Sequence, residues 1–185
     1  MDKMKAYEIY INEILKWNKV HKLISKGDES KIFERHIKNA EEIFYKIKDF
    51  GIKEIADVGA GAGFFGVVFS ILDETLKVGL IEVVAKKCAF LEYVKIKLGL
   101  KYEVLCKDAN KLDRKFESTI ERAFGKPTDI VRTMEKLSEK YVFLVLGENE
   151  NLEPIKDMGY KYIKLTEGYL AFKNVKRLQN FDTVI

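Results

Sequence analysis

The spacing of apolar side chains changes at about residue 51. Before this point, apolar residues recur every three or four positions in two segments, one from Tyr7 to Leu15 and one from Ile32 to Ile47. This period is that of an amphipathic helix, so the sequence predicts two helices. The polar stretch KLISKGDES separates them, and Asp28 or Ser30 is expected to cap the second helix. Residues 1–50 are therefore predicted to form an N-terminal helical extension.

After Gly51, short apolar runs alternate with longer helical patterns. Strands are predicted in EIADV, KVGLIEV, YEVLCKD, STIERAF and YVFLVLG, and helices in FFGVVFSIL, AKKCAFLEYVKIKLGL, PTDIVRTMEKLSEK and NLEPIKDMG. The segment YKYIKLTEGYLAFKNV predicts an antiparallel hairpin that turns at Glu167-Gly168. Strands that alternate with helices indicate a doubly wound α/β fold. We therefore expect residues 51–185 to form one domain around a mostly parallel seven-stranded sheet with an antiparallel edge hairpin.

Composition restricts the class of protein. The 185 residues suit one domain, and 47% hydrophobic residues are ample for a packed core. The apolar runs are far shorter than the roughly 18 residues of a membrane span, and the first ten residues do not resemble a signal peptide. We expect a cytoplasmic protein with no membrane partner, more readily a monomer than an oligomer. Cys88 and Cys106 form no C-x-x-C pattern, so we expect core thiols rather than a disulfide, and no metal site.

The net charge of +4 is a weak indication of a partner, but the basic residues are unevenly placed. Residues 86–115 hold nine Lys and Arg against four Asp and Glu, and Lys16, Lys19, Lys22 and Lys26 form a second basic run. Either set fits a solvated face or a surface that contacts nucleic-acid phosphates. The sequence alone leaves both interpretations open.

The most informative segment is the glycine loop, which runs from Asp57 to Gly66 between the first strand and its helix. Gly59, Gly61 and Gly63 alternate, and Glu82 ends the second strand 23 residues after Gly59. Glycines allow a tight turn and close approach of a ligand, and the helix that follows offers unpaired N–H groups. A carboxylate at Glu82 can accept hydrogen bonds from both hydroxyls of a ribose. A nucleoside-like ligand is therefore expected.

Three interpretations of this loop compete. A dinucleotide site requires G-x-G-x-x-G, which fits only loosely, and tight packing without a ligand rarely needs three alternate glycines. S-adenosylmethionine (SAM) methyltransferases show acid-x-G-x-G-x-G followed by an acidic residue at the end of the second strand. The segment from Asp57 to Gly63 together with Glu82 fits this pattern without a gap.

The resemblance to one family is more specific. DVGAGAGFFGVVFSI is similar to the DVGxGxGxPGxxLAI segment of the RsmG (GidB) family, which methylates N7 of a guanine in 16S ribosomal RNA. Trp17-Asn18, Arg35-His36-Ile37, Leu80-Ile81-Glu82 with Lys86-Lys87, and Glu121-Arg122-Ala123-Phe124 resemble further segments of that family. The resemblance extends, with gaps, from about residue 10 to about residue 175. It implies a Rossmann-like SAM methyltransferase that acts on 16S rRNA or the small subunit.

The resemblance also implies roles for single residues. Gly59 and Phe64 would line the methionine and ribose side of SAM, Glu82 would hold the ribose, and Ala109 and Asn110 would meet the adenine. Arg122 would line the cofactor pocket or position the target base. The complete predicted cofactor set is Asp57, Gly59, Gly61, Gly63, Phe64, Glu82, Ala109, Asn110 and Arg122. The predicted RNA contacts are Lys16, Lys19, Lys22, Arg35, His36, Lys86 and Lys87.

The chain departs from the family pattern at several positions. Phe65 replaces a proline, Asn39-Ala40 replace Asp-Ser, and Lys22-Leu23-Ile24 replace Asn-Leu-Thr. Asp108 replaces an arginine, and Leu146 stands where a lysine commonly precedes Gly147. We expect these changes to bear on the target more than on the cofactor.

The chemistry of N7 methylation requires few catalytic groups. Guanine N7 carries a lone pair and no proton, so no general base is needed, and proximity supplies much of the acceleration. We therefore expect no catalytic Ser, Cys or His. His36, on an apolar helix face, fits a structural role or an RNA-side role, and Trp17 fits a packing anchor or a stacking platform. A methyltransferase with another substrate and a non-catalytic RNA-binding or assembly protein stay open as alternatives.

Overall fold

A seven-stranded sheet forms the centre of the molecule. The computed structural model describes residues 1–122 and 127–176. The strand order is β3-β2-β1-β4-β5-β7-β6. The strands are β1 (Glu54–Val58), β2 (Lys77–Glu82), β3 (Glu103–Cys106), β4 (Phe116–Arg122), β5 (Ser138–Leu146), β6 (Lys161–Lys164) and β7 (Tyr169–Asn174).

The first five strands are parallel, and β7 pairs antiparallel with both β5 and β6. α-Helices connect β1 to β2, β2 to β3 and β4 to β5, whereas a 3-10 turn, Ala109–Lys111, connects β3 to β4. The helices are α1 (Lys3–His21), α2 (Lys38–Lys48), α3 (Phe64–Leu72), α4 (Ala85–Leu98), α5 (Pro127–Leu137) and α6 (Glu153–Asp157). The predicted fold class is confirmed, including the antiparallel hairpin at the edge.

The N-terminal helices are part of the main core rather than a separate layer. Tyr10 and Ile14 of α1 and Ile43 of α2 are fully buried, and they belong to the same apolar cluster as Phe69 of α3 and Ile120 of β4. The cluster therefore covers one face of the sheet with residues from both halves of the chain. The division of the chain at residue 50 stays a prediction.

The connection between the first two helices differs from the predicted polar loop. Lys26–Lys31 form a 3-10 helix and Ile32–Ile37 form a π-helix that continues into α2. Neither Asp28 nor Ser30 caps a helix, because Asp28 instead accepts hydrogen bonds from the Ser25 hydroxyl and the Arg35 guanidinium. The prediction of a cap is wrong because the 3-10 helix begins at Lys26, before both residues.

The boundary between α5 and β5 also differs. The sequence predicts a helix as far as Lys140, whereas the strand begins at Ser138. Ser138 pairs with Phe116 across the sheet, and its buried hydroxyl lies 2.8 Å from the Thr119 hydroxyl and 2.8 Å from the Met134 carbonyl oxygen. Pairing with β4 therefore overrides the helical pattern of this segment.

The two cysteines form a disulfide, which corrects the prediction of core thiols. Cys106 lies beside Glu82 in the pairing of β3 with β2, and Cys88 lies in the first turn of α4, just beyond β2. Their Cα atoms are 5.8 Å apart, within the usual range for a disulfide. Sequence spacing could not show this, because the sheet register brings the two positions together.

Removing this disulfide is expected to destabilise the fold. The cysteines are 18 positions apart, and closing a loop of this size in the unfolded chain is worth about 3 kcal/mol. Cys106→Ser, at an exposed position, should lower the free energy of unfolding by about this amount under oxidising conditions. Urea unfolding with and without reductant checks it, and wild type in reductant should match the variant. Equal free energies of unfolding for wild type and Cys106→Ser without reductant would contradict the expectation.

Within residues 1–122 and 127–176, we find no helix that is both long enough and apolar enough to cross a membrane.

Candidate active site

The glycine loop turns the chain from β1 into α3. Gly59, Gly61 and Gly63 have φ angles of +69°, +58° and +86°, a region that glycine adopts without the penalty of a side chain. A Cβ at Gly63 would lie 2.6 Å from Leu91 Cδ2 and 3.0 Å from Val67 Cγ2, so this position also lets the loop pack against α4. A Cβ at Gly59 would meet only Glu121 Oε1, at 4.0 Å. A Cβ at Gly61 would likewise meet only the Gly59 carbonyl oxygen, at 3.8 Å, so the loop backbone is open to a ligand at both positions.

Hydrogen bonds from three elements hold the loop in place. The Asp57 carboxylate accepts the Gly66 N–H at 3.1 Å, and the Ala60 N–H donates to the Ile81 carbonyl at 2.9 Å. The buried Tyr10 hydroxyl of α1 donates to the Ala62 carbonyl at 2.7 Å. Sequence reasoning missed this contact, since Tyr10 has the spacing of one more apolar position of α1.

Glu82 ends β2, as predicted, and its carboxylate is fixed by the backbone. Oε2 accepts the Gly61 N–H at 2.9 Å, and Oε1 accepts the N–H groups of Val83 and Val84 at 2.8 Å each. Oε1 thus uses both of its lone pairs, whereas Oε2 can accept one further hydrogen bond. The arrangement therefore pre-orients one free acceptor site beside the loop, where a hydroxyl of a ligand can be bound.

A cavity of about 390 Å³ lies above the carboxyl ends of β1 and β4. Five of the predicted cofactor residues line it, namely Asp57, Gly59, Gly61, Phe64 and Arg122. His36 and Lys87, which the sequence predicts as RNA contacts, line the same cavity. Gly63, Glu82, Ala109 and Asn110 do not line it, although Glu82 reaches its wall through Gly61.

Ala109 and Asn110 lie in a short 3-10 helix, Ala109–Lys111, beyond the end of β3. Asp108 caps this turn by accepting the Asn110 N–H at 2.9 Å. The Asn110 side-chain oxygen accepts the Thr133 hydroxyl of α5 at 2.6 Å. This turn is therefore tied to α5, on the β3 side of the loop.

Arg122 joins the end of β4 to the N-terminal helices. Its guanidinium lies 3.0 Å from His36 Nδ1 and donates to the Asn39 side-chain oxygen at 2.9 Å. Because a guanidinium only donates, His36 Nδ1 is the acceptor and the ring is neutral. Burial, reinforced by the charge of Arg122, lowers the pKa of His36 to about 4. The neutral ring stacks on Phe64 with centroids 4.3 Å apart, which connects Arg122 to the glycine loop.

Two carboxylic acids face the cavity from neighbouring strands. Burial raises the pKa of Asp57 to about 7, and burial together with the charge of Asp57 raises the pKa of Glu121 to about 7. Glu121 Oε2 is buried and has no hydrogen-bond partner among the described residues. Sequence reasoning did not select Glu121, although a carboxylate at the end of an apolar strand is the signal that could have found it.

These two acids predict how stability depends on pH. A carboxyl whose pKa is raised on folding favours the native state while it is protonated, so stability falls as pH rises from about 4 to about 7. Glu121→Gln should remove part of this fall. Urea unfolding between about pH 5 and about pH 8 measures it, with Glu74→Gln at an exposed ion pair as control. A variant with the full wild-type dependence would contradict the assignment.

A larger groove, of about 980 Å³, lies at the opposite edge of the sheet, where β1 and β2 begin. Glu54, Lys77 and Glu117 are among the residues that line it. In doubly wound folds ligands bind at the carboxyl ends of the strands, and the glycine loop lies at that edge. The smaller cavity is therefore the candidate active site.

The chain matches one protein-family model almost from end to end. The model describes rRNA small subunit methyltransferase G (GidB), and it matches residues 3–179. The chain belongs to this family. The family predicted from the W-N, R-H-I and R-A-F segments is therefore confirmed, and with it a SAM-dependent methyltransferase of small-subunit rRNA.

Similar sequences carry the same description. The chain is 39% identical over 180 residues to the ribosomal RNA small subunit methyltransferase G of Aquifex aeolicus, covering 92% of this chain and 91% of the relative. It is 32% identical over 154 residues to that of Rickettsia typhi, covering 83% and 80%.

Solved structures show the same fold at low sequence identity. A T. thermophilus 16S rRNA methyltransferase, solved with AdoMet and guanosine, superposes with a TM-score of 0.58 at 17% identity, covering 72% of this chain and 41% of that one. The magnesium protoporphyrin IX methyltransferase of Synechocystis, solved with SAH, has a TM-score of 0.60 at 11% identity, covering 92% and 97%. Both support the methyltransferase fold.

Two of the departures from the family pattern, Asn39 and Leu146, line a second cavity. It has about 550 Å³, shares Arg122 with the first cavity, and extends to the ends of β5 and the β6–β7 turn. Asn39, Leu146 and Gly147 line it, whereas Phe65 and Leu23-Ile24 line the first cavity. Asp108 lines neither and caps the 3-10 turn. The Ala123-Phe124 part of the family segment lies outside the described residues.

The predicted RNA contacts fall into two groups. Lys16, Lys19 and Lys22 are exposed along the end of α1, where Lys16 pairs with Glu13 at 2.8 Å. Lys87 lines the first cavity, Lys86 is exposed beside it, and Arg35 lines the second cavity and pairs with Asp28 at 2.9 Å. Their contact with RNA stays a prediction, as do the individual cofactor roles. Among the described residues we find no group of three or more acidic, His or Cys side chains that could hold a metal.

Proposed function

We propose that this chain transfers a methyl group from SAM to N7 of a guanine in 16S rRNA. The observation that carries the proposal is the pair of cavities that meet at Arg122 in a chain of this rRNA methyltransferase family. The first cavity borders the glycine loop and suits the cofactor. The second is large enough for a nucleotide base and its sugar, and it opens toward the strand ends beyond the loop.

Residues beside the first cavity fit the rest of the cofactor. Glu82, held by three backbone N–H groups, would hold the ribose through Oε2, while Ala109 and Asn110 beyond β3 would border the adenine. The open space beside Gly59 and the unpartnered oxygen of Glu121 mark room for a polar, positively charged group. Bound SAM would supply the electrophilic methyl group.

The remaining residues position the target. Guanine N7 needs no base to remove a proton, so the protein has to hold the guanine in line with the methyl group and exclude water. Arg122, fixed by His36 and Asn39 at the wall between the cavities, is placed to orient a base in the second cavity. The stacked pair of His36 and Phe64 gives this wall an apolar surface.

The basic residues around the opening would hold the RNA backbone. We include Arg35, Lys86 and Lys87 near the cavity and Lys16, Lys19 and Lys22 on α1 in this surface. Contacts of this kind release counterions, so RNA affinity should fall steeply as salt is added. A cytoplasmic location follows from the proposed substrate.

A methylation assay with an undermethylated substrate tests the function. Small-subunit rRNA from cells that lack the protein is incubated with purified protein and labelled SAM, then digested and analysed by mass spectrometry. Labelled 7-methylguanosine is the expected product. Label on another nucleoside or another molecule would contradict guanine N7 as the methylated atom. Salt-sensitive RNA binding without methyl transfer would indicate an assembly protein.

A further inference from the structure

We propose that the Glu121 carboxylate binds the α-ammonium group of the methionine part of SAM. The inference rests on the proposed use of this cavity as the cofactor site, and it assigns the half-buried Glu121 carboxylate to one group of that cofactor.

The strand order decides which end of the cofactor reaches Glu121. Glu82 ends β2, and Ala109 and Asn110 follow β3, so the ribose and adenine lie on the β2–β3 side of β1. The methionine part must then extend to the other side of β1, where β4 is the neighbouring strand. Glu121 is the next-to-last residue of β4, and it faces the cavity.

The position of the carboxylate agrees with this orientation. Its Oε1 lies 4.0 Å from the point where a Cβ on Gly59 would stand, beside an open part of the loop. Its Oε2 is buried without a partner among the described residues. An unpaired buried carboxylate is costly, and a bound cation that donates to it removes the cost.

Neighbouring acids are already engaged. Asp57 uses Oδ2 for the Gly66 N–H, and Asp28 is bound by Ser25 and Arg35. Lys87 and Arg122 are the Lys and Arg residues that line this cavity, and Arg122 donates to His36 and Asn39 rather than to Glu121. Glu121 is therefore the acid of this cavity best placed to receive a ligand cation.

Three ligands separate the possible contacts. SAM and S-adenosylhomocysteine both carry the α-ammonium group, whereas 5′-methylthioadenosine lacks the amino-acid part and keeps the adenosine. Each is titrated calorimetrically into wild type and Glu121→Gln. We expect the variant to lose about tenfold or more in affinity for SAM and for S-adenosylhomocysteine, because a charge-assisted hydrogen bond is lost. Its affinity for 5′-methylthioadenosine should match that of wild type.

The other outcomes would overturn the assignment. Unchanged affinity for all three ligands would show that Glu121 does not touch the cofactor, and a loss confined to SAM would place it at the sulfonium instead. An equal loss for all three would indicate a disturbed pocket. Glu74→Gln, a carboxylate exposed at its ion pair with Lys101, is the matched control and should bind as wild type does.

The test also separates this inference from the proposed function. If wild type binds neither SAM nor S-adenosylhomocysteine, the cofactor site itself is wrong. If wild type binds both and Glu121→Gln binds them equally well, only the role of Glu121 fails. A different methylated nucleoside in the activity assay would leave the binding comparison unaffected.

Discussion

Replacing Gly59 by arginine is expected to abolish SAM binding while the protein stays folded. The Gly59 position opens into the 390 Å³ cavity, and Glu121 Oε1 lies 4.0 Å from the point where a Cβ on Gly59 would stand. A long cationic side chain would fill the space of the methionine part, and its guanidinium would pair with the Glu121 carboxylate. Both effects exclude the cofactor, so we expect affinity to fall at least about a hundredfold, or about 2.7 kcal/mol.

Gly51→Arg is the matched control. Gly51 has a similar φ of +63° and nothing within 4 Å of a Cβ, so the same side chain there imposes similar backbone strain outside the cavity. Calorimetric titration with S-adenosylhomocysteine should show wild-type affinity for the control. Thermal unfolding of the two variants should be alike. Wild-type affinity of Gly59→Arg would show that the cofactor binds elsewhere.

The sheet could be predicted well because its signals are local. An apolar run such as Ile55–Val58 followed by a glycine cluster predicts a buried strand and a tight turn without knowledge of distant residues. Glu82 could be predicted for the same reason, because its proposed role depends on its place at the end of β2. Pattern and composition were therefore sufficient to predict the architecture and the position of the cavity.

The contacts that complete the site could not be predicted in this way. Arg122 meets His36 from 86 positions along the chain, and Tyr10 reaches the Ala62 carbonyl from 52 positions away. The Cys88–Cys106 disulfide likewise depends on the register of β3 against β2. These pairings are set by how the N-terminal helices and the strand ends pack, and no short segment encodes them.

The π-helix explains one of these contacts. Ile32–Ile37 adopts wider turns than an α-helix, and such turns often occur at functional sites. Arg35 pairs with Asp28 Oδ1 at 2.9 Å and His36 Nε2 lies 3.7 Å from the same oxygen, while His36 Nδ1 faces Arg122. Sequence periodicity alone treats the whole stretch as one regular helix, so it places His36 on an apolar face without showing its partner.

Replacing Gly168 by alanine is expected to destabilise the protein more than any other single methyl addition at its glycine turns. Gly168 has a φ of +83° in the turn between β6 and β7, and a Cβ there would overlap the backbone carbonyl oxygen of Leu146 far inside van der Waals contact. Leu146 pairs with Tyr169, so its backbone cannot move without breaking the β5–β7 pairing. We expect a loss of about 3 kcal/mol or more in the free energy of unfolding.

Gly51→Ala is the control that separates two effects at Gly168, the steric overlap with Leu146 and the strain of a left-handed φ angle. Its φ of +63° is also left-handed, but a Cβ there meets nothing within 4 Å, so it should cost only about 1 kcal/mol. Urea unfolding of both variants gives the comparison. Gly168 and Leu146 also line the second cavity, so Gly168→Ala should impair RNA methylation more than binding of S-adenosylhomocysteine. Equal stability of the two variants would mean that the β6–β7 turn can move away from Leu146, and the second cavity would then have a flexible wall.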